Sequence, residues 1–156
     1  MADSTPVLIS LAIPTYFVNW DIQPRQGSLP LTVSFGGYLS PDSAGPLPAG
    51  TQPNLVNNET IHFQIQDAVG NWSDLAIVTT TSEPPFQGYF GGSYTFTSGT
   101  TVNVRLHYDG NIAKNLTGCE RNSAEVQFAP TGMPNYLPLA IVGLGALALG
   151  IFLLSK

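Results

Sequence analysis

Apolar and polar residues alternate along much of the chain before residue 129, and this pattern predicts the fold. In residues 31–35, 61–66 and 102–108 an apolar side chain occupies every second position. A period of two places one set of side chains in a core and the other in water, as in antiparallel sheets. Eight runs are predicted as strands: residues 7–13, 16–22, 31–39, 60–66, 75–81, 92–97, 101–108 and 124–128.

Turn-forming residues separate these runs at intervals of about ten residues. Seven to eight short strands at this spacing are typical of a β-sandwich, and we expect one over residues 1–129. The longest interruption, residues 40–57, is rich in Pro and Gly and predicts a loop that is either functional or packed on the surface.

The pattern changes near the C-terminal end, where residues 137–154 (LPLAIVGLGALALGIFLL) are continuously apolar. A helix of this length extends about 27 Å, close to the ~30 Å hydrocarbon thickness of a bilayer. We therefore expect one transmembrane α-helix at 137–154, joined to the β domain by a Pro/Gly linker at 130–136.

Small residues recur on one face of this predicted helix. Ala140, Gly143, Ala146 and Gly150 follow one another at spacings of three, three and four. Such a face allows a second membrane helix to approach closely. The alternative is that Gly and Ala are simply frequent in membrane spans.

Composition excludes one class of partner. The chain has 10 acidic and 5 basic residues, and Lys156 is the only charged residue after Glu125. An acidic domain repels phosphate backbones, so nucleic acid is not an expected partner. Charged residues make up only 10% of the chain, so uncharged polar residues must cover much of the surface.

The residue types that usually carry catalysis or bind metals are scarce. His62 and His107 fall on the polar side of alternating strands, outside any nucleophile or zinc motif, and we expect exposed strand histidines. Cys119 is the single cysteine, so no intrachain disulfide forms, and a buried or half-buried position suits it better than a nucleophilic role. We expect no cofactor, no small-molecule substrate and no enzymatic activity.

The segment at residues 67–74 (DAVGNWSD) has two interpretations. Its oxygen ligands around a glycine would suit Ca²⁺, although the EF-hand spacing is missing. Alternatively it is a hairpin turn in which Asp67 and Asn71 bond the local backbone and Trp72 caps the core.

Two further groups of residues are candidates for modification or contact. Asn58, Asn71 and Asn115 lie in N-x-S/T sequons, which would be glycosylated only if the domain reached a glycosylating compartment. Phe86, Tyr89 and Phe90 surround a glycine and predict either a contact surface or the end of the core.

Several motifs, taken in order, resemble those of prokaryotic immunoglobulin-like surface domains. Residues 24–39 (PRQGSLPLTVSFGGYL) are similar to the opening of such domains, and residues 88–96 (GYFGGSYTF) and 101–110 (TVNVRLHYDG) to later strands. The resemblance extends from about residue 18 to residue 129. It implies an all-β, immunoglobulin-like antiparallel sandwich without fixed catalytic residues. Members of the family are adhesins, envelope proteins and structural proteins of phages and archaeal viruses.

These features predict a non-enzymatic, single-pass membrane protein with a C-terminal anchor. No signal peptide is visible, because the apolar run at 7–13 is short and ends at Pro14. The first hypothesis is a minor capsid, vertex or membrane-linking component of a virion with an internal membrane. The alternative is a cell-surface protein, S-layer-associated or part of an adhesion or filament system. Its partners would be the lipid bilayer and other structural proteins, including further copies of itself.

Overall fold

A computed structural model describes residues 11–47, 55–122 and 125–129. Within these ranges the chain is all β apart from a single 3₁₀ turn at Ile112–Lys114. The strands are β1 Tyr16–Gln23, β2 Gln26–Ser28, β3 Leu31–Ser40, β4 Thr60–Gln66, β5 Trp72–Thr79, β6 Tyr89–Phe96, β7 Thr101–Val102, β8 Val104–Asn111, β9 Leu116–Asn122 and β10 Val126–Ala129.

The strands form two larger sheets and one small one. The first has the order β1-β3-β6 and the second the order β5-β4-β8-β9, and every pair in both is antiparallel, as predicted. The small sheet has the order β2-β10-β7, and its β2–β10 pair is parallel, which the alternation did not predict.

The two larger sheets enclose one hydrophobic core. Phe35 of β3 and Phe63 of β4 stack across it with ring centroids 4.4 Å apart. The strictly alternating positions of β3, β4 and β8 supply much of the core: Leu31, Val33, Phe35, Ile61, Phe63, Val104 and Leu106. Packing of two sheets through their inner faces gives a β-sandwich-like arrangement.

Several strand boundaries differ from those predicted. β5 begins at Trp72 and β6 at Tyr89, each three residues before the predicted start, because pairing with the neighbouring strand continues into the turn. The predicted strand at 101–108 is divided at Asn103 into β7 and β8, which belong to different sheets.

Two strands were not predicted, β2 and β9. The sequence of β9, LTGCERN, has no regular alternation and contains a glycine and two charged residues. Its pairing with β8 over Leu116–Asn122 determines its conformation instead. Tertiary context thus overrides local propensity here.

The first predicted strand, residues 7–13, lies mostly outside the described residues. Ile13 forms an isolated parallel bridge with Leu116 of β9. Among the described residues, no helix is long and apolar enough to cross a membrane. The linker at 130–136 and the span at 137–154 lie outside these residues and remain predictions.

Candidate functional site

The outer face of the four-stranded sheet carries a connected set of polar side chains. Register brings them together, because His62 of β4 pairs with His107 of β8, and Gln64 pairs with Arg105. We name this set the histidine face, and it consists of His62, Gln64, Asp74, Arg105, His107, Asp109 and Glu120.

Both histidines lie between carboxylates. His62 Nδ1 is 3.0 Å from Asp74 Oδ2, and its Nε2 is 3.5 Å from Asp109 Oδ2. His107 Nε2 is 2.8 Å from Asp109 Oδ1, and its Nδ1 is 3.8 Å from Glu120 Oε2. The ring centroids are 6.3 Å apart. Asp109 joins the two histidines, because each of its carboxylate oxygens contacts one of them. The side chains are 18% and 25% exposed, so the histidines are half-buried and the expectation of exposed histidines is wrong.

Arg105 connects three strands of this face. Its Nε donates to Gln64 Oε1 at 2.8 Å, and its Nη1 donates to Glu120 Oε2 at 2.6 Å. Its guanidinium also lies 4.4 Å from the ring centroid of Trp72. Since the ring quadrupole attracts a cation, β5 is tied to the same group. The Arg105 side chain is only 15% exposed.

The pKa of Asp74 reflects opposing effects. Burial raises it, but the hydrogen bonds from Gln64 and His62 and the charges of both histidines outweigh burial, so the net pKa is lowered. The face holds three carboxyl groups, those of Asp74, Asp109 and Glu120, and one guanidinium, that of Arg105. Hydrogen bonding and ion pairing among the side chains of one sheet surface are what this arrangement allows.

Metal binding finds no support among the described residues. Within the described ranges, no group of three or more His, Cys, Asp or Glu side chains is arranged to hold a metal ion. In the 67–74 segment, Asp67 Oδ1 accepts hydrogen bonds from the backbone N–H groups of Val69, at 2.9 Å, and Asn71, at 2.8 Å. The hairpin interpretation is confirmed. Trp72, however, lies on the outer face with Arg105 and does not cap the core, because it pairs with the outward Gln66.

A second polar cluster is buried at one end of the sandwich. Glu59 is 3% exposed, and its Oε2 accepts a hydrogen bond from Tyr108 Oη at 2.8 Å. Its carboxylate also accepts bonds from Asn111 Nδ2 at 3.2 Å and from Lys114 Nζ at 2.5 Å. Lys114 Nζ donates a further bond to the carbonyl oxygen of Asn57 at 2.8 Å. The cluster joins the segment before β4 to β8 and the 3₁₀ turn.

The predicted aromatic contact residues divide into two groups. Phe86 is 55% exposed and Tyr89 is 44% exposed, so both can reach a partner. Phe90 is 1% exposed and packs edge-to-face on Phe17, with ring centroids 5.5 Å apart. Phe90 therefore belongs to the core, because strand alternation points it inward from β6.

The sequon asparagines differ in accessibility. Asn58 and Asn71 are exposed, whereas Asn115 is half-buried and its Nδ2 donates to the carbonyl oxygen of Leu11 at 2.8 Å. Cys119 is half-buried, as predicted, and burial raises the pKa of its thiol. The candidate helix-packing residues Ala140, Gly143, Ala146 and Gly150 lie outside the described residues.

The sequence predicted that both histidines lie on polar strand faces, but it did not predict that they are neighbours. Only the β4–β8 register brings them together, and the similar alternation of the two strands was the available signal. No protein-family model, curated protein or solved structure matches the chain.

Proposed function

We propose that the chain is a non-enzymatic, immunoglobulin-like structural protein held in a bilayer by residues 137–154. In this proposal it is a minor capsid, vertex or membrane-linking component of a membrane-containing virion. Its head, the β domain, binds other structural proteins, while the span at 137–154 anchors the chain in the bilayer.

The strand order is the observation that carries the fold part of the proposal. In immunoglobulin domains, strands A, B and E share one sheet, and strands C, F and G share the other, where variable-type domains add C′. The orders β1-β3-β6 and β5-β4-β8-β9 follow this layout, if β1, β3, β4, β5, β6, β8 and β9 are taken as A, B, C, C′, E, F and G.

The centre of the core departs from antibody domains in two respects, the missing Trp and the missing disulfide. Antibody domains pack a Trp on strand C against a disulfide between strands B and F. Here Phe63 on β4 stacks on Phe35 of β3, and the single cysteine lies on β9. An aromatic pair thus replaces the Trp and disulfide between the sheets.

The chemistry of the histidine face supports a structural protein over an enzyme. Its ionisable groups bind one another across a sheet surface, as in the Arg105–Glu120 and His62–Asp74 pairs. A catalytic base or nucleophile would instead be directed at a substrate in a cleft. This face suits contact with a protein whose polar groups complement it.

The alternative, a cell-surface protein, is favoured by one observation. Asn58 and Asn71 lie in sequons and are exposed, so oligosaccharyltransferase could reach them. In the virion hypothesis the head is made in the cytosol and does not cross a membrane. A glycan at either position would show that the head had crossed one, which counts against that hypothesis.

Membrane flotation tests the anchor. The full chain should float with liposomes and resist carbonate extraction. Leu147→Lys should release much of it, because Lys near the centre of a membrane helix costs roughly 2.5–3.5 kcal/mol. Ile112→Lys is the matched control, since Ile112 is 99% exposed on the 3₁₀ turn. This variant should float with liposomes as the native chain does. Native chain that stays in the soluble fraction would contradict the anchor.

Protease treatment of intact particles and cells then separates the two structural hypotheses. A virion component at the membrane–capsid interface should co-purify with particles and be cleaved only after the shell is opened. A cell-surface protein should be cleaved on intact cells and carry glycan mass at Asn58 or Asn71.

A further inference from the structure

The outer face of the β1-β3-β6 sheet contains a shallow groove that the proposed function does not use. Its volume is about 350 Å³, near the lower end of the range for small-molecule sites. The backbone of Gly36 and Gly37 forms part of its lining, together with Tyr38 and Tyr89. Gly36 pairs with Gly91 of β6, so two adjacent strands lack side chains at this position.

The ring of Tyr89 lies over this glycine surface. A Cβ atom added to Gly91 would stand 2.9 Å from Tyr89 Oη, and one added to Gly36 would stand 3.6 Å from it. The tyrosine therefore extends along its own strand, above positions that only glycine leaves open. It remains 44% exposed, so part of the ring stays available to a ligand. Tyr38 supports it edge-to-face, with ring centroids 5.4 Å apart and planes at 65°.

Hydrogen-bonding groups border the other side of the groove: Asn19, Asp21, Gln23 and Ser34. Asp21 Oδ1 accepts a bond from the backbone N–H of Ile22 at 2.8 Å, which fixes the carboxylate, and the side chain is still 62% exposed. Asn19 has a φ of 48° at the irregularity in β1, so the strand departs from regular pairing at this border. Amides, a carboxylate and hydroxyls supply both donors and acceptors.

We propose that this groove binds a saccharide. A pyranose ring has a face of C–H groups that packs on an aromatic plane and a rim of hydroxyls that each donate and accept hydrogen bonds. Tyr89 provides the plane, and Asn19, Asp21 and Gln23 provide partners for the hydroxyls. The saccharide is a ligand and not a substrate, and the inference does not depend on the virion proposal.

A proline-rich peptide is the main competing occupant, because such segments dock in aromatic-lined grooves. Those grooves use several rings to grip successive turns of a polyproline helix. Here Tyr38 is tilted by 65° against Tyr89, and the opposite border is polar. The groove therefore fits one sugar ring with hydroxyls better than an apolar polyproline helix.

Titration monitored by backbone amide NMR tests the proposal. The ¹⁵N-labelled full chain, in a detergent without a sugar headgroup, is titrated separately with maltohexaose, chitohexaose, mannohexaose and an octaproline peptide. At least one saccharide should bind saturably, with the largest shifts at Asn19, Gly36 and Gly37. Tyr89→Ala should raise the Kd for the saccharide roughly tenfold, whereas Tyr89→Phe should retain most of the affinity because it keeps the ring.

Phe86→Ala is the matched control, since Phe86 is a nearby exposed aromatic residue that does not line the groove. It should bind as the native chain does, and each variant's amide spectrum shows whether it is folded. Saccharide binding that is absent for all three probes would overturn the proposal. So would shifts located elsewhere, unchanged affinity in folded Tyr89→Ala, or preferential binding of octaproline. Membrane flotation is measured independently, so failure here leaves the anchor proposal intact.

Discussion

Glu59 shows how a single residue can hold two parts of this chain together. Its carboxylate is buried but has three side-chain donors, from Tyr108, Asn111 and Lys114. Burial raises the pKa of Glu59, and these hydrogen bonds together with the Lys114 charge outweigh it, so the net pKa is lowered. Burial and the Glu59 carboxylate raise the pKa of Tyr108, which keeps the phenol protonated as a donor.

The lowered pKa makes stability depend on pH with a definite sign. A carboxyl whose pKa is lower in the folded state stabilises the fold fully above its unfolded value of 4.5, and this contribution is lost as the pH falls further. We therefore expect the free energy of unfolding in urea to fall between pH 7 and about pH 3. In Glu59→Gln this fall should be shallower, and stability at pH 7 should drop by roughly 1–3 kcal/mol because Lys114 loses its charged acceptor.

Glu83→Gln is the control for this measurement, since Glu83 is an exposed carboxyl in the turn before β6. The free energy of unfolding of this variant should lie within about 0.5 kcal/mol of that of the native chain at both pH values. Equal pH dependence in the native chain and in Glu59→Gln would show that the cluster contributes no acid sensitivity.

At the scale of elements, regular alternation explains which strands could be predicted. β4 was predicted with the observed bounds because Ile61, Phe63 and Ile65 point consistently inward. β9 has no such period, and its neighbour β8 imposes its conformation. Local sequence carries the period of a strand but not its partner, so the division of 101–108 between two sheets could not be predicted either.

The same limit applies to the candidate sites. Exposure of Tyr89 was among the predicted alternatives, but its position over Gly36 depends on the β3–β6 register. The histidine face likewise requires the pairing of His62 with His107. Both sites combine residues distant in sequence, and a single sequence contains no direct signal of that proximity.

Gly118 tests the β8–β9 pairing that the sequence did not predict. A Cβ atom at this position would lie 2.5 Å from the carbonyl oxygen of Tyr108 and 2.8 Å from that of Asp109. These are backbone atoms, so the strands must separate to admit a methyl group. We expect Gly118→Ala to destabilise the fold by roughly 1–3 kcal/mol in urea unfolding, with faster amide exchange in β8 and β9.

Gly70→Ala separates this steric effect from backbone strain. Gly70 has a φ of 95°, but an added Cβ would find its nearest neighbour, Gln66 Nε2, 3.9 Å away. It should therefore cost roughly 1 kcal/mol through strain alone and leave exchange in β9 unchanged. If both substitutions had the same effect on β9 exchange, the proposed clash at Gly118 would be wrong.

For the whole molecule, the contact between the two large sheets decides whether they behave as one unit. The Phe35–Phe63 stack lies between them, and Phe63 is fully buried. We expect Phe63→Ala to cost roughly 3–5 kcal/mol, because the cavity removes contacts with both sheets. Phe86→Ala, at a site 55% exposed, should stay within about 0.5 kcal/mol of the native chain.

The two tryptophans allow each sheet to be followed separately in this comparison. Trp20 lies in β1 of the three-stranded sheet and Trp72 in β5 of the four-stranded sheet. The variant Trp72→Phe therefore keeps only the Trp20 fluorophore, in the three-stranded sheet. The separate variant Trp20→Phe keeps only the Trp72 fluorophore, in the four-stranded sheet. If the shared core couples the sheets, both fluorescence transitions should coincide in urea and move together to lower concentration in the Phe63→Ala background. A shift of only the Trp72 transition would mean that β4 and its sheet unfold independently of β1-β3-β6, and that Phe63 stabilises its own sheet alone.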